Sequence, residues 1–394
     1  MKLLSILFFS VLLAGCASTP PALMAPERTL FTDTAFVKPA NILTANQVFA
    51  MTPEMLAFAA KMRQDTNSNH KARYDALYDA LYKSGQLRLD YDAEMTRTAS
   101  EAFEARSGNC MSLVLMTAAF AHELGLEVQY QRITSQDTWS RSGSLYFSSG
   151  HVNLVLGKSN FDALNIFDRS QAVTIDFLPP PDAEKMPTEV ISERRIVAMY
   201  MNNRAAETMV EGKLDEAYWW ARAAIDQDPA YLLAYNTLAT IYQHHGDMEL
   251  AYRTLRFANQ YDPLNTVILF NMSEVAGSLG HKEEADKLKT ELARLEPYPP
   301  FYFFNIGQQA MSVGDYRKAR SMFVREVQRA PYYHEFHFWL AKASFLLGNL
   351  KEADKHMTLA LMNSTTRGDS AIYAGKLANL RLYESRARLR PGEI

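Results

Sequence analysis

The sequence predicts an α+β domain followed by an all-α helical-repeat solenoid. Two observations carry this. Between residues 51 and 182 helical spacing gives way to short alternating segments, and from about residue 198 glycine recurs every 34 residues. A third, the apolar leader Leu3–Leu13, sets both domains apart from the N-terminus. The 394 residues are 48% hydrophobic and 22% charged, too apolar for a disordered chain and too charged for a multi-span membrane protein. With 41 Lys+Arg against 44 Asp+Glu, the chain lacks the basic excess of a nucleic-acid binder. Its two cysteines exclude a disulfide scaffold and an all-cysteine metal site. The histidines are scattered without ligand spacing, so neither metal nor cofactor is expected.

In the leader, Lys2 precedes Leu3–Leu13 and then Leu13-Ala14-Gly15-Cys16. Charge, length and small residues read as a signal peptide over 1–15, since a spanning helix needs about 20 apolar residues. Leu13-Ala14-Gly15-Cys16 resembles a bacterial lipobox, which implies cleavage before Cys16 and lipidation of its sulfur. A plain secretory signal with an incidental cysteine is the alternative. Several acyl chains at Cys16 would hold the protein on a membrane. Ala17, where Asp would signal inner-membrane retention, implies the outer membrane, at its periplasmic face. Residues 16–50, opening Ala17-Ser18-Thr19-Pro20-Pro21, are expected to be a tether.

The α+β domain is placed at 51–182. Thr52-Pro53-Glu54 is a helix start, with a capping Thr and Pro in the first turn, and the helix should run to about Arg63. Tyr74, Leu77 and Leu81 place another over 70–83, ending at Gly85. Residues 93–105 read as a third helix, broken by Ser107-Gly108-Asn109. Cys110 to Leu124 read as a fourth, closed by Gly125. The alternation of Glu127 to Ile133 then predicts a strand. Thr134 to Ser144 reads as a polar loop containing Trp139. His151–Leu156 and Val173–Leu178 are further strands, and Pro179-Pro180-Pro181 ends the sheet.

In the second half, Gly212, Gly246, Gly280, Gly314 and Gly348 are each followed five residues later by Ala217, Ala251, Ala285, Ala319 and Ala353. Pro229, Pro263, Pro297 and Pro331 complete the pattern. Gly ends the first helix of a pair, the small Ala lets two helices approach, and Pro closes the second. Segments such as Gly246-Asp247-Met248-Glu249-Leu250-Ala251 resemble tetratricopeptide repeats. Five repeats are placed at 198–367, with a capping helix and tail at 368–394. The resemblance implies a groove that binds a protein or peptide. Phe270, Phe301, Phe304, Phe338 and Phe345 are its candidate partner-binding residues, with packing between repeats the competing role.

The segment Thr98-Ala99-Ser100-Glu101-Ala102-Phe103-Glu104-Ala105-Arg106-Ser107-Gly108-Asn109-Cys110-Met111-Ser112 resembles the nucleophile region of bacterial transglutaminase-like proteins. Glu123-Leu124-Gly125-Leu126, a strand opening at His151 and one carrying Asp176 fit the same family. The resemblance covers roughly 50–180 and implies a papain/transglutaminase-like domain with a Cys110, His151, Asp176 triad. Val152 departs from the family, many of whose members have an aromatic residue after the histidine.

The residues support this chemistry by themselves. Asn109 is a good N-cap, which puts Cys110 in a first helical turn, where free N–H groups and the dipole favour thiolate. His151 would take and return the proton, and Asp176 would orient the imidazole. Asp168, in Phe167-Asp168-Arg169, competes with Asp176 but reads as a turn residue. The backbone N–H at Cys110 would supply one oxyanion donor. The second is not identified; Gln129 and Gln131 are candidates, and Trp139 is a candidate lining residue of the cleft.

The function expected is thiol-dependent amide hydrolysis or acyl transfer on a protein or peptide, with the repeats recruiting substrate or partner. The alternative is a non-catalytic periplasmic scaffold or assembly factor that binds partners through its repeats. No nucleic-acid partner is expected.

Overall fold

The computed structural model describes residues 27–66, 70–82, 87, 89–142, 145–157, 172–177 and 186–389, with backbone alone at 70, 135–149 and 387–389. Cys16, Gly85, Asp168 and Pro179–Pro181 lie outside the described residues. The leading part comprises α1 (Ala45–Val48), α2 (Pro53–Asp65), α3 (His70–Tyr82), β1 (Asp90–Tyr91), α4 (Ala99–Ala105), β2 (Ser107–Gly108) and α5 (Cys110–Glu123). Then come β3 (Val128–Ser142), β4 (Leu145–Leu156), β5 (Val173–Ile175) and β6 (Thr188–Ile191).

At the centre is α5. Met111 to Ala121 are buried without a break. A helix this apolar all round has no solvent face to offer and sits inside a core. It packs on a four-stranded sheet of order β5-β4-β3-β6. Val152, Leu154 and Leu156 of β4 and Ile175 of β5 join it in one core.

Several expectations are corrected here. The polar stretch expected as a loop from Thr134 is strand as far as Ser142. β3 runs through to Ser142 and pairs with β4 up to Ser142↔Leu145. Thr138, Trp139, Tyr146 and Phe147 suit an extended pleat, and a two-stranded ribbon beyond the core needs no buried face. The sheet does not end at the prolines either, because β6 pairs with β3 through Tyr130↔Ile191 to Ile133↔Thr188. The helix expected over 93–105 starts only at Ala99, where Thr98 and Glu101 form a capping box. Residues 93–97 have other partners. Ala93 N–H donates to Thr365 O at 2.8 Å, and Thr96 N–H to Glu207 Oε1 at 2.8 Å.

The second half is a solenoid of helix pairs of the tetratricopeptide type. The pairs are α6 (Glu193–Val210) with α7 (Leu214–Gln227), α8 (Leu232–His245) with α9 (Met248–Tyr261), and α10 (Thr266–Ser278) with α11 (Lys282–Leu295). α12 (Tyr302–Ser312) with α13 (Tyr316–Arg329) and α14 (His334–Leu346) with α15 (Leu350–Met362) follow, and α16 (Arg367–Leu389) closes the end. The array thus begins at Glu193 rather than 198. The five glycines have φ between +78° and +100°, the left-handed turn that glycine adopts at least cost. The five alanines that follow them are at most 4% exposed, at the crossing of each pair.

Gly307 has a steric duty. A Cβ there would meet the Phe323 ring at 2.5 Å. We expect Gly307→Ala to lower stability by about 1–3 kcal/mol in urea unfolding, and Phe323→Leu to recover part of the loss.

The expected tether is corrected over 27–50, which is bound to the array. Phe36 is 4% exposed and stacks on Tyr218 at 4.1 Å. Tyr242 Oη donates to Leu30 O at 2.7 Å, Tyr218 Oη donates to Asp33, and Trp219 Nε1 donates to Phe36 O at 3.3 Å. Phe31, under Arg222, and Phe36 amount to an anchor, which the prolines after Cys16 obscured.

The array bends so that both ends reach one segment beside α5. Thr96 N–H donates to Glu207 and Thr96 Oγ1 accepts from Asn203, both of α6, while Asp90 pairs with Arg367 of α16 at 3.4 Å. Among the described residues no helix is long and apolar enough to cross a membrane.

Candidate active site

Cys110 is the first residue of α5 and is half-buried. Its helix start is tightly specified. Asn109 Oδ1 accepts from Ser112 N–H at 2.9 Å and from Ser112 Oγ at 2.8 Å. Asn109 Nδ2 donates to Thr96 Oγ1 at 2.8 Å. Gly108 is required by this turn, since a Cβ on it would lie 2.6 Å from Ser112 Cβ.

His151 stands on β4 where the β3 ladder slips. Arg132 pairs with Val152 and Asp137 with Gly150, so His151 falls in the gap between the paired stretches. Such a bulge re-aims a side chain. Asp176 follows the end of β5, one residue past the pair Leu154↔Ile175. His151 Nε2 lies 2.6 Å from Asp176 Oδ1, and both side chains are 11% exposed. Asn153 Nδ2 donates to the other oxygen, Oδ2, at 3.0 Å, and Tyr82 Oη donates to Asp176 O at 2.8 Å. With Nε2 engaged by the carboxylate, Nδ1 is the imidazole nitrogen left for the thiol.

The electrostatics follow. Burial alone raises the Cys110 pKa. The His151 hydrogen bond and charge, with the Val152 and Met111 backbone N–H groups, outweigh it and bring the thiol below its ordinary value. Burial alone lowers the His151 pKa, but hydrogen bonds to Asp176 and Cys110 and their charges raise it to about 10. These interactions favour the thiolate–imidazolium form of the pair over the neutral one.

The structure brings Cys110, His151 and Asp176 together. Gln131 stands in the ladder opposite Asn153. It is Asn153 that holds the carboxylate, a role the sequence hinted at only through its strand parity with His151. The backbone of Trp139 pairs with Ser148, and its side chain lies outside the described residues. We expect Asn153→Ala to cost about 1.5–3 kcal/mol in chemical denaturation, because it strands one oxygen of a sequestered carboxylate.

The partner-binding phenylalanines are corrected in part. Phe301 and Phe304 are at most 1% exposed and pack with Phe323 and Phe336. Phe338 stacks on Tyr373 at 5.3 Å. Phe270 and Phe345 remain on the surface, at 43% and 37% exposure. Helical spacing cannot tell the face toward the neighbouring pair from the face toward a ligand. Among the described residues no cluster of three or more potential ligands could hold a metal.

No family model matches the chain, and no curated protein matches it. Partial likenesses to solved helical-repeat structures exist. A crystal structure of MamA is 17% identical over 40% of this chain and 93% of that one, with a TM-score of 0.23. PilF of Pseudomonas aeruginosa is 20% identical over 51% and 96%, with a TM-score of 0.30. A tetratricopeptide-repeat protein of Thermus thermophilus is 18% identical over 47% and 99%, also at 0.30. At these scores the likenesses say nothing of what this chain binds, and the repeat architecture rests on its own period and helix pairing.

Proposed function

We propose that the chain is a partner-binding scaffold whose α+β portion, of papain/transglutaminase-like type, carries a thiol site for acyl chemistry on a protein or peptide amide. The binding half is supported by the helical array, which fills most of residues 193–389. The chemical half rests on one observation, the His151–Asp176 contact of 2.6 Å beside a cysteine that opens a helix. Cys110 Sγ attacks the amide carbonyl and forms a thioester. His151 gives its proton to the departing amine. Water then yields the acid, or an amine yields a new amide. The lipobox-like Leu13-Ala14-Gly15-Cys16 supports anchoring at the periplasmic face of the outer membrane.

A second reading, a scaffold in which the same three residues only stabilise the domain, is favoured by the extent of the array. Casein and dansylcadaverine separate the two. Dye incorporation, ammonia release or new N-termini, lost in Cys110→Ser, support the enzyme. Partner capture by the array that is equal in wild type and Cys110→Ser, with no such products, supports the scaffold alone.

A further inference from the structure

Given the thiol chemistry proposed above, on which this rests, we propose that Thr96 is a positioning residue through which the repeat array governs the reactivity of Cys110. α6 holds Thr96, Thr96 orients the Asn109 amide, and that amide shapes the helical turn that Cys110 opens. Asn109 Oδ1 accepts from Ser112 N–H and Ser112 Oγ, while Asn109 Nδ2 donates to Thr96 Oγ1 at 2.8 Å. A carboxamide has one accepting and one donating end. Thr96 Oγ1 takes the donating end, which leaves the oxygen for the helix. Ser112 Oγ accepts in turn from Arg97 N–H at 2.8 Å. Two adjacent residues thus grip both partners of the cap, and Thr96 and Ser112 are buried.

Residues 93–97 belong to no helix or strand, so local structure does not place Thr96. The array does. Glu207 Oε1 accepts from Thr96 N–H at 2.8 Å, and Asn203 Nδ2 donates to Thr96 Oγ1 at 3.3 Å. Glu207 is steadied by Arg204 Nη1, 2.6 Å from its other oxygen. The N–H groups at the start of α5, Met111 among them, favour the thiolate. A first turn that frays aims them elsewhere, and the thiol then keeps its proton to higher pH.

The test is the rate of iodoacetamide alkylation of Cys110 against pH, on the full chain, with unfolding midpoints measured alongside. Thr96→Val keeps the shape and removes the acceptor. We expect the apparent pKa of Cys110 to rise by about 0.5–1 unit, which is about three- to tenfold less thiolate below both values. Thr96→Ser restores the acceptor and should return the profile to wild type. Asn203→Ala combined with Glu207→Ala, which alters only the array, should raise the pKa as well. Thr117→Val removes a hydroxyl bonded to Leu113 O further along α5, and should lower the midpoint with the profile in place. A Thr96→Val profile that superimposes on wild type overturns the proposal, as does an equal shift in Thr117→Val. A shift in Thr96→Val that is absent from the array pair overturns it too. If Thr96→Val does not fold, Asn109→Ser replaces it, since serine caps as well but has no amide donor. An unmoved profile there overturns the proposal. A wild-type thiol that titrates at the ordinary value refutes the thiol chemistry itself, and this role with it. A lowered wild-type value that none of these variants moves refutes only the role of Thr96.

Discussion

His151→Ala is expected to slow alkylation of Cys110 at pH 6.5 by between about 10- and 100-fold. An ordinary thiol with a pKa near 8.5 is only about 1% thiolate at that pH, and the intrinsically weaker nucleophilicity of a low-pKa thiolate trims the gain. The wild-type rate against pH should titrate below the ordinary thiol, and the variant should titrate higher than wild type, because burial is then opposed only by the Val152 and Met111 backbone N–H groups. The signs also define a window. His151 has a raised pKa, so its contribution to stability is complete below about 6.5 and disappears as pH rises through about 10. Cys110 has a lowered pKa, so its contribution is present at alkaline pH and is lost as pH falls through its folded value. The ion pair therefore exists between the two titrations, and any turnover needing imidazolium as acid should follow a bell. A wild-type thiol that titrates normally and is indifferent to His151 would leave only the scaffold.

The second large effect concerns the N-terminal strap. Phe36→Ala is expected to cost about 3–5 kcal/mol of the stability of the first two repeats. Phe36 is sealed between Tyr218, Tyr242 and His245 at ring distances of 4.1, 6.1 and 4.6 Å. Its truncation leaves a cavity and also loosens the backbone bonds of Thr32 and Val37, which rely on Tyr218 and Asp215. Limited proteolysis reads this directly. Residues 29–41 should resist cleavage in the wild type and become labile in the variant, with a matching fall in the midpoint of thermal unfolding. Rapid cleavage of wild type within this segment would mean that it is a free tether after all.

The chain itself determined the parts that depend on local chemistry and period. A repeat of 34 residues is visible because every helix pair must solve the same problem, a left-handed turn at Gly246 and a close crossing at Ala251. Asn109 before Cys110 is legible because an N-cap is a contact between near neighbours. Residues 107–112 could be read without knowing anything distant.

Only the tertiary structure decided what depends on partners far along the chain. Residues 93–97 look helical until Thr365 and Glu207 claim their backbone. The strap looks like a linker until Tyr218 and Tyr242 are seen 185 and more residues away. Phe270 and Phe304 share one position of the 34-residue repeat, yet Phe304 is buried among rings and Phe270 is 43% exposed, because what packs on each comes from other helices. Tyr91 lies in a two-residue strand too short to have any period, and only the parallel pairing Tyr91↔Gly108, across 17 residues, sets it beside the turn that precedes Cys110. Local propensity acts within about one helical turn, whereas a catalytic site is assembled by the packing that closes the loops between its parts.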